Sequence, residues 1–135
     1  MHKQIFVNLP IKDMARSRAF FSALGYSFNP AFSNEKGAAV ILGENLYAMI
    51  LVHEFFATFT GKAIADAHHS TEVMVCLDCE SRAEVDTLVA KAVAAGGRAP
   101  RAAQDHGFMY AHGFEDLDGH IWELVHMAGL PPANA

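Results

Sequence analysis

The chain has 135 residues, a length that suits one domain. Just over half of them are hydrophobic and 19% are charged, which supplies a core and excludes a disordered chain. A net charge of −5 with no basic stripe argues against nucleic acid as a partner, and no apolar run reaches the ~20 residues of a membrane-crossing helix.

Met1-His2-Lys3-Gln4 leads directly into a strand pattern, without the marks of a signal peptide, so a cytoplasmic location is expected. Ile5-Phe6-Val7-Asn8-Leu9 reads as that strand, ended by Pro10. Asp13 suits a helix N-cap. Met14, Ser17, Phe20, Phe21 and Leu24 then recur at helical spacing, and Gly25 stands where a C-terminal glycine belongs. Tyr26 to Phe28, Gly37 to Leu42 and Leu46 to His53 read as three strands, the last two joined by Gly43-Glu44-Asn45. Between Glu54 and His69 the pattern breaks, and Phe55, Phe56 and Phe59 fit one face of a short helix.

The order then repeats. Glu72 to Asp78 is a strand, and Ser81-Arg82-Ala83-Glu84 has the form of a capping box. It opens a helix whose apolar face is Val85, Leu88, Val89, Ala92 and Val93, ended by Gly96-Gly97. An extended segment near Arg98 to Ala102, a strand through Phe108 to Phe114, a turn at Glu115 to Gly119 and a strand from His120 to His126 complete the half. Each half is therefore strand, helix, three strands. The expected fold is α+β: two βαβββ modules forming a curved mixed-sheet cup with helices outside. The modules fall at about 3–60 and 70–127 of one domain, 1–128, and a tail follows at 129–135. Phe6 matches Glu72 and His53 matches Glu123 in this alignment of the halves.

The two cysteines are spaced as C-x-x-C, at Cys76 and Cys79. Side chains three apart along a strand face opposite ways, and no second C-x-x-C exists, so ordinary core and strand-end residues are favoured over a redox pair or half a zinc site. Trp122 is expected to face a helix, away from Glu123.

Two segments carry a family resemblance. The first is Asn8-Leu9-Pro10-Ile11-Lys12-Asp13-Met14-Ala15-Arg16-Ser17 with Phe20-Phe21 and Leu24-Gly25-Tyr26. The second is Glu115-Asp116-Leu117-Asp118-Gly119-His120-Ile121-Trp122-Glu123-Leu124. Together they resemble the vicinal-oxygen-chelate superfamily, which includes glyoxalase I, bleomycin-resistance proteins and extradiol dioxygenases. Leu117 stands where the family's last turn has proline. Gln104 to Tyr110 and Ser81 to Asp86 resemble the bacterial proteins labelled predicted lactoylglutathione lyases.

The resemblance implies four inward-facing metal positions, one on each of four strands, able to take Ni²⁺, Zn²⁺, Mn²⁺ or Fe²⁺. The first falls on Phe6, which cannot ligate. His53, Glu72 and Glu123 are the candidates for the other three, with Glu123 and Glu72 also the candidate general bases of a lyase acting on a vicinal-oxygen substrate. The arginine that recognises glutathione in glyoxalase I falls on Pro10, against a true lactoylglutathione substrate. The alternative is a non-enzymatic protein that binds or sequesters a small molecule. Its pocket would be lined by Phe6, Asn8, Met49, Leu51 and Met74, with His106 and Tyr110 as further ligand contacts. A homodimer is implied by the resemblance.

Overall fold

A computed structural model describes residues 1–133, so Asn134 and Ala135 of the tail lie outside the described residues. The chain divides into two compact units, one spanning Met1–Asp66 and one beginning at Ala67. Each is a βαβββ module.

The first module runs β1 (Ile5–Ile11), α1 (Met14–Ala23), β2 (Ser27–Asn29), β3 (Gly37–Gly43) and β4 (Leu46–Val52), followed by the four-residue α2 (His53–Phe56) and a 3-10 turn, Ala57–Phe59. Asp13 caps α1 by accepting a hydrogen bond from the Arg16 amide at 3.0 Å. Gly25 takes a φ of +102° just past the helix, the left-handed conformation that glycine adopts without a Cβ penalty. The strands pair in the order β1-β4-β3-β2, with β1 parallel to β4 and the other pairs antiparallel. Leu9, Ile11, Ala38, Val40, Ala48 and Ile50 lie on the face that meets α1, whose Phe20, Phe21 and Leu24 are equally buried. That is the core of this module.

The second module runs β5 (Met74–Asp78), α3 (Arg82–Ala94), β6 (Gln104–Asp105), β7 (Met109–Glu115) and β8 (Ile121–Met127), ordered β5-β8-β7-β6. The capping box is present. Ser81 accepts from the Glu84 amide at 3.0 Å, and the Glu84 carboxylate reaches back to the Glu80 amide at 2.9 Å. Val85, Val89 and Ala92 pack α3 onto Phe114, Trp122 and Leu124, while Val93 is 47% exposed and leaves the expected apolar face. The expected extended segment near Arg98 reduces to one bridge, between Arg98 and Glu115.

The two modules repeat each other, with a register that differs from the one expected. Asp13 and Ser81 cap the matching helices. Counting back equally from these caps matches Phe6 with Met74 and Asn8 with Cys76. Across the sheets Asn8 stands opposite Met49, and Cys76 opposite Glu123. The counterpart of Glu123 is therefore Met49 and not His53, and that of Phe6 is Met74 and not Glu72. The sequence alignment of the halves went astray because β4 ends at Val52 and β5 begins only at Met74, so His53 and Glu72 fall outside the strands.

Candidate functional site

In a strand, alternate side chains share a face. In the first module the face turned away from α1 carries Phe6 and Asn8 from β1, Tyr47, Met49 and Leu51 from β4, and Ala39 and Ile41 from β3. Four of the residues expected to line a pocket, Phe6, Asn8, Met49 and Leu51, are thus brought onto one surface. The ring of Phe6 stacks on Tyr47 at 4.9 Å, with 9° between the planes. On the same face Met49 and Leu51 line a hollow of about 310 Å³, with Phe32, Gly37 and Phe55 among its other walls. A Cβ at Gly37 would stand 2.8 Å from Leu51 Cδ2, so glycine there keeps this wall in place. The β1 and β4 side chains of this face include no ionisable group except the Tyr47 phenol.

His53 is exposed and opens α2, past the end of β4. A strand continued by one residue would have placed it on the face of Met49 and Leu51. The chain turns into a helix instead.

In the second module the face turned away from α3 carries Met74 and Cys76 from β5, Ile121, Glu123 and Val125 from β8, and Ala111, Gly113 and Glu115 from β7. A hollow of about 200 Å³ on this face is lined by Met74, Arg101, Ala111, Gly113, Ile121 and Glu123 among others. Glu123 is half-buried. Its carboxylate lies over Gly113, where a Cβ would stand 3.1 Å from Oε2. Met74 and Glu123 are thus brought together.

The other candidates lie elsewhere. Glu72 precedes β5, and its Oε1 accepts from His120 Nδ1 at 3.0 Å, tying it to a buried ring. Tyr110 faces α3, where its hydroxyl donates to Asp86 at 2.6 Å and the Arg82 guanidinium lies over its ring at 5.1 Å. His106 is exposed in the turn between β6 and β7, donating to Gln104 Oε1 at 3.3 Å. Trp122 faces α3 as expected, stacked on Phe114. Tyr47 and Gly113 are the residues that sequence reasoning missed. Alternation along Tyr47-Met49-Leu51 was a sufficient signal for the first, whereas Gly113 is recognisable only once β7 is paired with β8.

The burial of the two cysteines is the reverse of a core Cys76 with a strand-end Cys79, because β5 ends at Asp78, before Cys79. Cys76 is exposed on β5, Cys79 is buried after it, and both are free thiols. Burial, with Glu84 and Asp78 nearby, pushes the Cys79 thiol up to about 11. Burial and then Glu123 raise Cys76 as well. A redox-active cysteine needs a lowered value.

Comparison with known proteins fits this geometry. Residues 3–43 match the family model described as bleomycin resistance protein-like N-terminal. No curated protein sequence matches the chain. Among solved structures, a glyoxalase-related enzyme from Fulvimarina pelagi superposes with a TM-score of 0.80 at 22% identity, over 100% of this chain and 96% of that one. A hypothetical protein from S. aureus gives 0.78 at 26% identity, covering 93% and 95%. The fosfomycin resistance protein of Listeria monocytogenes gives 0.67 at 18% identity, covering 93% of each chain. The chain has the vicinal-oxygen-chelate fold.

That fold implies a divalent metal, so the donors at its strand positions decide whether one fits. Two matched pairs occupy those positions here: Phe6 with Met74, and Met49 with Glu123. A phenyl ring offers no donor, and thioethers suit Cu(I) rather than the harder divalent ions. Glu123 alone is a suitable ligand. Within each module, among the described residues, no three His, Cys, Asp or Glu side chains gather into a group able to hold a metal. The strand positions of this chain therefore do not supply the donor set that Ni²⁺, Zn²⁺, Mn²⁺ or Fe²⁺ requires.

Proposed function

We propose that the chain is a metal-independent binding protein for a small, largely apolar or aromatic molecule, held as in the bleomycin-resistance proteins it resembles. The observation that carries this is the apolar face of Phe6, Tyr47, Met49 and Leu51, of which Met49 and Leu51 line a hollow of about 310 Å³. Its size falls at the lower end of small-molecule sites, roughly 300–1,000 Å³. Aromatic stacking and adaptable methionine suit a flat apolar ligand, and Asn8 offers one polar handle. Similarity to a fosfomycin resistance protein supports a ligand-handling role without naming the ligand.

The second reading is a metal-dependent lyase of glyoxalase type, with Glu123 as base and His53, Glu72 and Glu123 as ligands. Glu123 favours it, since a half-buried carboxylate on a sheet face needs a cation, a proton or hydrogen bonds. The binding reading fits better, because Glu72 is engaged by His120 and His53 lies beyond its strand.

The test is metal content of protein purified without added metal or chelator, together with thermal shifts on adding Ni²⁺, Zn²⁺ or Mn²⁺ and on adding a panel of neutral aromatic compounds. The expected result is sub-stoichiometric metal, no metal-induced shift, and stabilisation by aromatic compounds that is lost in Met49→Lys. Stoichiometric metal that disappears in Glu123→Gln would establish the lyase reading instead.

A further inference from the structure

The hollow on the second module differs in chemistry from that on the first. Its floor is apolar, from Met74, Ala111 and Ile121, yet Glu123 and Glu115 share that face, paired diagonally through Gly113 and Ile121. No hydrogen bond or ion pair reaches the Glu123 carboxylate among the described residues. It is nonetheless half-buried, so part of its hydration is lost without replacement. The space for it is made by Gly113: a side chain there would meet Glu123 Oε2 at 3.1 Å and Cδ at 3.2 Å. The strand opposite thus keeps the carboxylate in the hollow and leaves its lone pairs open. Arg101, which also lines the hollow, is exposed and makes no salt bridge with Glu123. A lone oxygen donor cannot hold a divalent ion against water, but it can accept from an N–H group, and a charge-assisted bond of this kind is about twice as strong as a neutral one.

We propose that this hollow takes the ammonium or amidinium end of a small organic amine, with Glu123 as acceptor, in place of the metal that the fold implies. A volume of about 200 Å³ limits the bound part to a single ring or a short chain, or to the end group of a larger molecule. The apolar part lies on Met74, Ala111 and Ile121. The inference rests on the small-molecule-binding reading and names the class of molecule.

The test compares benzylammonium with benzyl alcohol, nearly equal in shape and differing in charge, by NMR titration of the full chain at neutral pH. Benzylammonium is expected to bind roughly tenfold more tightly, shifting β7 and β8 amides around Gly113 and Glu123. Its advantage should shrink as sodium chloride is raised, vanish in Glu123→Gln, and weaken in Gly113→Ala, where the added methyl displaces the carboxylate. Equal binding of the two compounds, or an amine preference that survives Glu123→Gln, would overturn the inference. The wild-type comparison alone decides the matter if a variant fails to fold. Alcohol binding that shifts the Met49 methyl, with no amine preference in the second module, removes this inference and leaves the binding reading standing. Absence of binding by both compounds removes the two together.

Discussion

At the residue scale, the polar knot behind the last turn is the most consequential feature. Asp116 is 5% exposed and takes three donors: the amides of Asp118 at 2.9 Å and His120 at 3.0 Å on Oδ1, and Trp122 Nε1 at 3.0 Å on Oδ2. Burial pushes its carboxyl up, while His120 and the donors from Trp122 and Asp118 pull it back. Because the folded value is raised, the folded chain holds this proton to higher pH than the unfolded chain. The stability from this group therefore declines as pH rises through the window above the ordinary carboxylate range. Asp116→Asn places an NH₂ against one of the three donors and is expected to cost about 1–3 kcal/mol, with a flatter dependence of Tm on pH. An unchanged Tm would show that the knot is dispensable. The thiols give a second expectation at this scale. At pH 7.5 a disulfide reagent should titrate one thiol per chain, more slowly than free cysteine, and none in Cys76→Ser. Two thiols reacting alike would contradict the burial of Cys79.

At the scale of elements, short-range chemistry fixes the ends of helices and the turns. Gly119 has a φ of +86°, and a Cβ there would stand 2.7 Å from the His68 amide nitrogen and 2.8 Å from the Ala67 carbonyl carbon. Gly119→Ala adds this backbone clash to a left-handed conformation and is expected to cost more than about 2 kcal/mol, read as a lowered midpoint of urea unfolding. The two-residue β6 is held differently. Arg82 of α3 grips both oxygens of Asp105 at 2.7 and 2.8 Å, and Asp105 also accepts from the Gly107 amide. The grip holds the Asp105 carboxyl below its ordinary value. It secures the segment that brings Arg101 and Gln104 to the hollow. A lysine cannot make the forked contact, so Arg82→Lys should speed amide exchange from Gln104 to Gly107. The global Tm should barely move, because exposed ion pairs contribute little.

At the scale of the whole molecule, β1 and β5 each end a sheet, and each carries exposed apolar side chains: Ile5 and Phe6 on one, Met74 and the preceding Val73 on the other. Unpaired edges of this kind invite association. With the family resemblance, this leads to the expectation of a homodimer in solution. A monomeric mass by light scattering at micromolar concentration would refute it. No helix among the described residues is long and apolar enough to cross a membrane.

The sequence by itself determined the repeat, the caps at Asp13 and Ser81, the glycine turns, the faces of α1 and most of α3, and the common face of Phe6, Asn8, Met49 and Leu51. The caps, the turns and the alternation within each strand rest on interactions or periodicities within a few residues, whereas the pairing of β1 with β4 that joins the face does not. What only the tertiary structure decided is register. A strand alternates with period two, so ending β4 one residue before His53 and starting β5 two residues after Glu72 removes both from the sheet faces. The pairing of β5 with β8, and of Gly113 with Glu123, joins strands that are distant or oppositely directed in the chain. No local pattern encodes it. Glu123 kept its expected place, but its cross-strand partners are Cys76 and Gly113, and Met74 stands at the strand position where the resemblance implies a ligand. The chemistry of the site follows from that difference.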